Sequence, residues 1–187
     1  MIMRNKNTGF TLLELMIVVA ISGLLLLVGI PSFRTMIATN EISSKTNDLI
    51  MSLKLARSTA ITTGHPAFLC SSSDGETCKG QDNFWSKGWL VWVDLDENGA
   101  LNANSSELLW VKEIDPSSSQ TIIATSANAI FLQQFEFKYD GTLDQAVVAS
   151  FQICSGLGST GYPPRNINVT VSGEAQFSKD TTPGNEC

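Results

Sequence analysis

The sequence predicts an α+β protein: one long N-terminal α-helix, membrane-spanning in its first half, packed on a C-terminal, mainly antiparallel β-sheet domain. Three observations predict it. Phe10 to Ile30 is a run of 21 residues with a single charge, Glu14. As a helix, rising about 1.5 Å per residue, it is roughly 30 Å long, the thickness of a bilayer's hydrocarbon core. From Ile42 the apolar residues narrow to a stripe at helical spacing, and from Ala67 the chain turns into short β-type runs separated by Gly, Ser, Asn and Asp.

The first element is a short polar segment, residues 1–9, with Arg4 and Lys6 and no acid. Positive charge there holds the N-terminus in the cytoplasm. Residues 10–30 form the spanning helix. A carboxylate five residues into such a run is costly in lipid, so Glu14 requires a partner. Pro31 removes one backbone donor and predicts a helix break or kink, with Gly23 and Gly29 weakening the same region. Residues 31–63 continue as an amphipathic helix. Ile42, Leu49, Leu53, Ala56 and Ala60 recur every three or four residues or a multiple, with Ile50 and Ile61 beside them. Glu41, Lys45, Asp48, Lys54 and Arg57 fall mostly on the other side, and Gly64 and Pro66 end the helix. Arg57 is read either as a partner for a carboxylate of the sheet or as an exposed helix residue.

Residues 64–187 form the β-rich domain. Strands are expected near 67–70, 88–94, 108–114, 121–124, 135–139, 149–154 and 166–172, with a turn at Ser172-Gly173 into Ala175–Phe177. Phe135, Phe137 and Tyr139 alternate with Glu136 and Lys138, and Ile167, Val169 and Val171 alternate with Asn166, Asn168 and Thr170. Trp89, Val91 and Val93 share one face of their strand while Leu90 and Trp92 share the other. Two apolar faces mark a central strand, covered on one side by the helix.

The chain carries 12 basic and 18 acidic residues, a formal net charge of −6, which becomes −8 if Arg4 and Lys6 leave with an N-terminal leader. That balance argues against a general polyanion-binding surface. Four cysteines beyond a membrane anchor point to two disulfides in an oxidising compartment. Cys70 and Cys78 flank a turn-rich segment and suit a local bridge, leaving Cys154 with Cys187. Four cysteines allow three connectivities, and spacing alone does not choose among them. No Cys-x-x-Cys is present and the single histidine, His65, is not at ligand spacing, so no zinc site is expected. No catalytic set is visible, and the chain is not read as an enzyme. Asp94-Leu-Asp96-Glu-Asn98-Gly99 resembles the start of a calcium loop, with oxygen ligands at alternate positions and Gly at the sixth. The acid wanted at the twelfth position is Ser105, and Glu107 lies two further on. The competing reading is a β-hairpin turning at Asn98-Gly99 with no metal.

Gly9-Phe10-Thr-Leu-Leu-Glu14, after a short basic leader and before an apolar helix, resembles the N-terminus of the type IV prepilins. An ordinary signal peptide has a shorter core and a small-x-small cleavage site, whereas Val-Gly-Ile-Pro-Ser-Phe follows Leu27. A plain anchor gives no reason for Glu14. The resemblance implies cleavage after Gly9 by a prepilin peptidase, N-methylation of Phe10, and Glu14, then the fifth residue, as an assembly group for neighbouring subunits. It also implies that the weakened helix can lose helicity in an assembled filament. Leu53-x-x-Ala-Arg57-x-x-Ala-Ile61, the Cys70 strand, Lys87-Gly88-Trp89 leading to Asp94-Leu-Asp96, and Glu107-Leu-Leu-Trp110 are similar to the GspH/FimT/FimU branch.

That branch implies a pilin-like fold and three roles. The first is a minor type IV pilin that helps initiate or cap a pilus for twitching motility or adhesion. The second is a minor pseudopilin of type II secretion. The third is a DNA-binding minor pilin of natural transformation. The third needs a basic cluster near the C-terminus, where this chain offers Arg165 and Lys179 separated by Glu174 and not by further basic residues; DNA is not favoured as a partner. The cysteines favour a pilus over a pseudopilus. The implied partners are other minor and major pilins or pseudopilins, the prepilin peptidase and the bacterial inner membrane. The C-terminal domain is expected in the periplasm, and no cofactor is expected unless the Asp94 loop takes calcium.

Overall fold

The computed structural model describes residues 10–79, 84–102, 106–115, 120–126, 133–144, 148–155 and 164–179. A single helix, α1, runs Leu12–Thr63. Position 31, where a break or kink is expected at Pro31, lies inside it, and the helix does not end there. One proline withdraws one amide from the ladder, and the bonds on either side sustain a helix of this length. The chain divides into two compact units, Met1–Ile37 and Ala38–Cys187.

In the first unit α1 exposes its large apolar residues all round, from Leu12 through Ile37. It is long and apolar enough to cross a membrane.

In the second unit the stripe predicted for α1 is buried: Ile42, Leu49, Leu53, Ala56 and Ala60, preceded by Ala38. Ile61, expected beside the stripe, is exposed on its flank. Gly64 ends the helix in the left-handed region, φ 72°, its amide donating to Ala60 O at 3.0 Å.

Among the described residues eight strands follow: β1 Ala67–Ser71, β2 Gly88–Val93, β3 Leu108–Glu113, β4 Thr121–Ser126, β5 Gln134–Phe137, β6 Ala149–Cys154, β7 Arg165–Val169 and β8 Ala175–Lys179, with a short 3-10 turn Phe84–Ser86. They form two antiparallel sheets, ordered β3-β2-β1-β5 and β4-β6-β7-β8. Strand β2 is buried on both faces and lies inside its sheet, as its double apolar pattern requires. Trp89, Val91 and Val93 enter the main core with the helix stripe, Phe135, Phe137, Phe151, Ile153, Ile167 and Val169. Leu90 and Trp92 enter a second cluster with Phe68 and Cys70, covered by Cys78 and Leu101. One face is thus closed by the helix and the other by two loops.

Two strand ends are shorter than the alternation suggests. β5 stops at Phe137, so Tyr139 lies in an exposed turn. β7 stops at Val169; Gly173 N donates to Thr170 O at 2.8 Å, and Val171 is exposed in that turn. Arg57 also departs from expectation. Its Nε donates to the Gly141 carbonyl at 3.0 Å, and no carboxylate pairs with it among the described residues.

Candidate functional site

The N-terminal motif is built from the residues around Thr11. Phe10 and Thr11 precede the helix, whose first residue is Leu12. Thr11 Oγ1 accepts a hydrogen bond from Glu14 N at 3.2 Å, and Thr11 O accepts the first intrahelical bond, from Leu15 N, also at 3.2 Å. Thr11 is therefore the N-cap and Glu14 the third helical residue, the spacing of a capping box. Thr-x-x-Glu ahead of an apolar run was available in the sequence as a helix-start signal, and the family motif drew attention to its glutamate alone. The Glu14 carboxylate has no hydrogen bond or ion pair among the described residues; only its backbone amide is occupied. Phe10 is 84% exposed. Gly9 lies outside the described residues.

The Asp94 loop joins β2 to β3 as the expected hairpin. Glu97 and Gly99 take the left-handed conformation, φ 56° and 71°. Asp94 is buried and braces the turn: its two oxygens accept Asn98 N at 3.1 Å and Gly99 N at 2.8 Å. Asn98, a candidate ligand from sequence, is engaged within the turn. Its Oδ1 accepts Ala100 N at 2.7 Å and its Nδ2 donates to Asp96 Oδ2 at 2.7 Å. Carboxylate oxygens of Asp94, Asp96 and Glu107 lie within 4.8 Å of one another. The acid that joins the two aspartates is thus Glu107, brought in at the start of the return strand; Ser105 lies outside the described residues. These bonds account for Asp94 as the support of the turn, and the three acids together are the donors a cation could use. His65 sits at the helix end with Nδ1 3.4 Å from Glu97 Oε1.

Cys70 and Cys78 form the expected bridge, with Cα atoms 5.5 Å apart. Asp74 organises the enclosed loop. It accepts Thr77 N at 2.9 Å, Thr77 Oγ1 at 2.7 Å and Glu76 N at 3.1 Å, and pairs with Lys79 at 3.0 Å. The Thr77 hydroxyl and amide hold the Asp74 carboxyl well below the usual carboxylate range. Cys154 is also disulfide-bonded; Cys187 lies outside the described residues.

Arg165 and Lys179 stand opposite each other across β7 and β8, and three lysines are paired with acids. Lys79 pairs with Asp74, Lys112 with Asp48 at 2.7 Å, and Lys138 with Asp144 at 3.1 Å. Arg165 stacks over the Phe177 ring, 5.3 Å from its centroid.

Comparison with known proteins bears on both units. A family model described as Type II transport protein GspH matches residues 45–174, and one described as the prokaryotic N-terminal methylation motif matches residues 4–30. No curated protein matches the chain. Crystal structures of the Pseudomonas aeruginosa type IV minor pilin FimU are similar in fold. In space group P21 the likeness covers 79% of this chain and 96% of that one, at 23% identity and a TM-score of 0.56. In space group P65 it covers 78% and 98%, at 22% identity and a TM-score of 0.53.

Proposed function

The chain belongs to the GspH family of type IV pilin-like proteins, and on that footing we propose that it is a minor type IV pilin, a structural subunit that helps initiate or cap pilus assembly. In this reading residues 1–9 are a leader removed by a prepilin peptidase, Phe10 is then N-methylated, residues 10–30 anchor the subunit in the inner membrane, and residues 64–187 work in the periplasm with the amphipathic segment 31–63 beneath them. Pilins of the same filament are its partners. The Asp94 loop serves as a self-braced turn.

One observation carries the proposal. The part of α1 in the first unit, apolar and exposed all round, holds a single acid, Glu14, and that carboxylate has no partner among the described residues. Left unpaired in lipid, such a charge is costly, so its natural partner comes from outside. Cleavage after Gly9 creates a positive amine on Phe10 of every neighbouring subunit. Pairing of Glu14 with that amine relieves the carboxylate and sets the stagger of packed helices. The Cys70–Cys78 bridge supports the pilus over an export machine. The description of the matching family, a type II transport protein, favours a second reading, a minor pseudopilin in protein secretion.

The test is a deletion strain scored for surface pili, exoprotein secretion and transformation, then complemented with wild type and Glu14→Ala. Loss of pili alone supports the first reading; loss of secretion alone replaces it with the second. Glu14→Ala keeps the amide that Thr11 caps, so its leader should be removed normally, while its content in sheared filaments falls. Full complementation with normal filament content would remove Glu14 from the docking role.

A further inference from the structure

We infer that Thr11 is a positioning residue for leader removal: its hydroxyl fixes the first turn of α1 and keeps the helix from growing back over the scissile Gly9–Phe10 bond. The inference rests on the leader-processing reading given above and adds a residue to it.

The argument is a competition for one amide. In an α-helix each N–H donates to the carbonyl four residues earlier. A helix begun upstream would direct Glu14 N to the Phe10 carbonyl and Leu13 N to the Gly9 carbonyl. Here Glu14 N is held by Thr11 Oγ1 at 3.2 Å, and the intrahelical ladder opens only with Leu15 N on Thr11 O. Upstream growth therefore has to break the hydroxyl bond before it gains a backbone one. Without the hydroxyl, the acceptor that a helix offers to the freed Glu14 N is the Phe10 carbonyl, four residues back. That bond converts Phe10 from an exposed residue outside the helix, as it is here, into its first turn.

The consequence falls on the reaction. Hydrolysis adds the oxygen of water to the Gly9 carbonyl carbon, breaks the bond to the Phe10 nitrogen, and leaves a Gly9 carboxylate and a Phe10 amine that takes the proton. The peptidase must polarise that carbonyl with its own groups. A carbonyl engaged by Leu13 N–H inside a helix is withdrawn from them. Thr11 touches neither the carbonyl nor the water in this scheme; it acts through the position at which the helix begins.

The experiment follows precursor and mature forms by mass in membranes containing the prepilin peptidase, using the full chain with Thr11→Ser, Thr11→Asn, Thr11→Val and Thr11→Ala. Valine matches threonine in shape and lacks the hydroxyl, whereas serine and asparagine differ in shape and cap well. Wild type, Ser and Asn should be cleaved at similar rates, and Val and Ala about five-fold more slowly, the change expected from loss of one N-cap. Membrane insertion of the precursors should be equal across the series. Cleavage of Val at the wild-type rate would overturn the inference, and so would Ser and Asn as slow as Val, since the rate would then follow side-chain shape. A wild-type chain left uncut at Gly9 overturns the processing reading itself, and this inference with it.

Discussion

Replacing Cys70 and Cys78 together by alanine tests how far the bridge, rather than the packing of β1, secures the β domain. The bridge closes a sequence separation of 8; the chain-entropy relation for a loop of that length gives about 2.5 kcal/mol at 25 °C. Two features keep the loss near that figure. β1 is paired on both sides, Cys70 facing Leu90 in β2 and Gln134 in β5, so its backbone stays in place when the sulfur is removed. The Asp74 hydrogen bonds hold the loop in the folded state, but they do not restrain the unfolded chain, where the entropic term acts. The assay is urea unfolding of a fragment beginning at Ala38, followed by the fluorescence of buried Trp85 and Trp89. Substitution is preferred to reductant because reduction would also open the bridge at Cys154. With a urea slope of about 2 kcal/mol per molar, the midpoint should fall by about 1.2 M with the slope unchanged. A fall below about 0.3 M would show that the bridge adds little to a loop already ordered, and the entropic reasoning would fail.

Two further predictions use the same fragment. Gly173 has φ 74°, and a Cβ there would clash with the Gly141 carbonyl oxygen, whereas Gly99 has φ 71° with open space around it. Gly99→Ala should cost about 1–2 kcal/mol from backbone strain alone, and Gly173→Ala about 2–5 kcal/mol because overpacking adds to it; equal losses would contradict the turn-on-turn contact. Burial, then repulsion from Asp144, raises the pKa of Glu136 on β5. The folded state therefore binds this proton more tightly than the unfolded chain does, and stability falls as pH rises through the folded value. Glu136→Gln should raise the melting temperature at pH 7, and the gain should vanish below about pH 4, under the unfolded pKa; a gain that persists at that pH would assign the effect to packing.

The helix stripe and the strands were legible because each is a local pattern with its own period. Ile42, Leu49, Leu53, Ala56 and Ala60 are buried as their spacing requires, and β2 showed its interior place through apolar residues on both faces. The split into two sheets was not legible. It depends on β1 pairing with β5, Ala67 opposite Phe137, a contact between distant segments that no window contains. Tyr139 and Val171 continue the alternation of their strands into turns because alternation records which residues could face inward, whereas strand ends are set by turn hydrogen bonds such as Gly173 N to Thr170 O. Arg57 was misread for a similar reason. Its acceptor is a main-chain carbonyl in a turn, and a sequence advertises carboxylates but not carbonyls. Glu107 could not be placed beside Asp94 and Asp96 until the hairpin closed.

On the proposed reading the N-terminal motif carries two functions that share one residue. At Glu14 the backbone amide is engaged by the cap, and the proposal gives the carboxylate to assembly. Alanine keeps the first and deletes the second; Thr11→Val deletes the first and keeps the second. If both assignments hold, Glu14→Ala should yield mature subunits left in the membrane, and Thr11→Val should yield precursor that assembles once cut. The fold of the second unit should be the same in both, since the buried stripe of α1 begins at Ala38, more than twenty residues beyond either change. The two phenotypes also define their combination: the double variant should be slow in cleavage and poor in assembly. A double variant that is cleaved at the wild-type rate would mean that the Glu14 carboxylate, once the cap is gone, itself holds the helix over the scissile bond, and the division of roles at this residue would have to be redrawn.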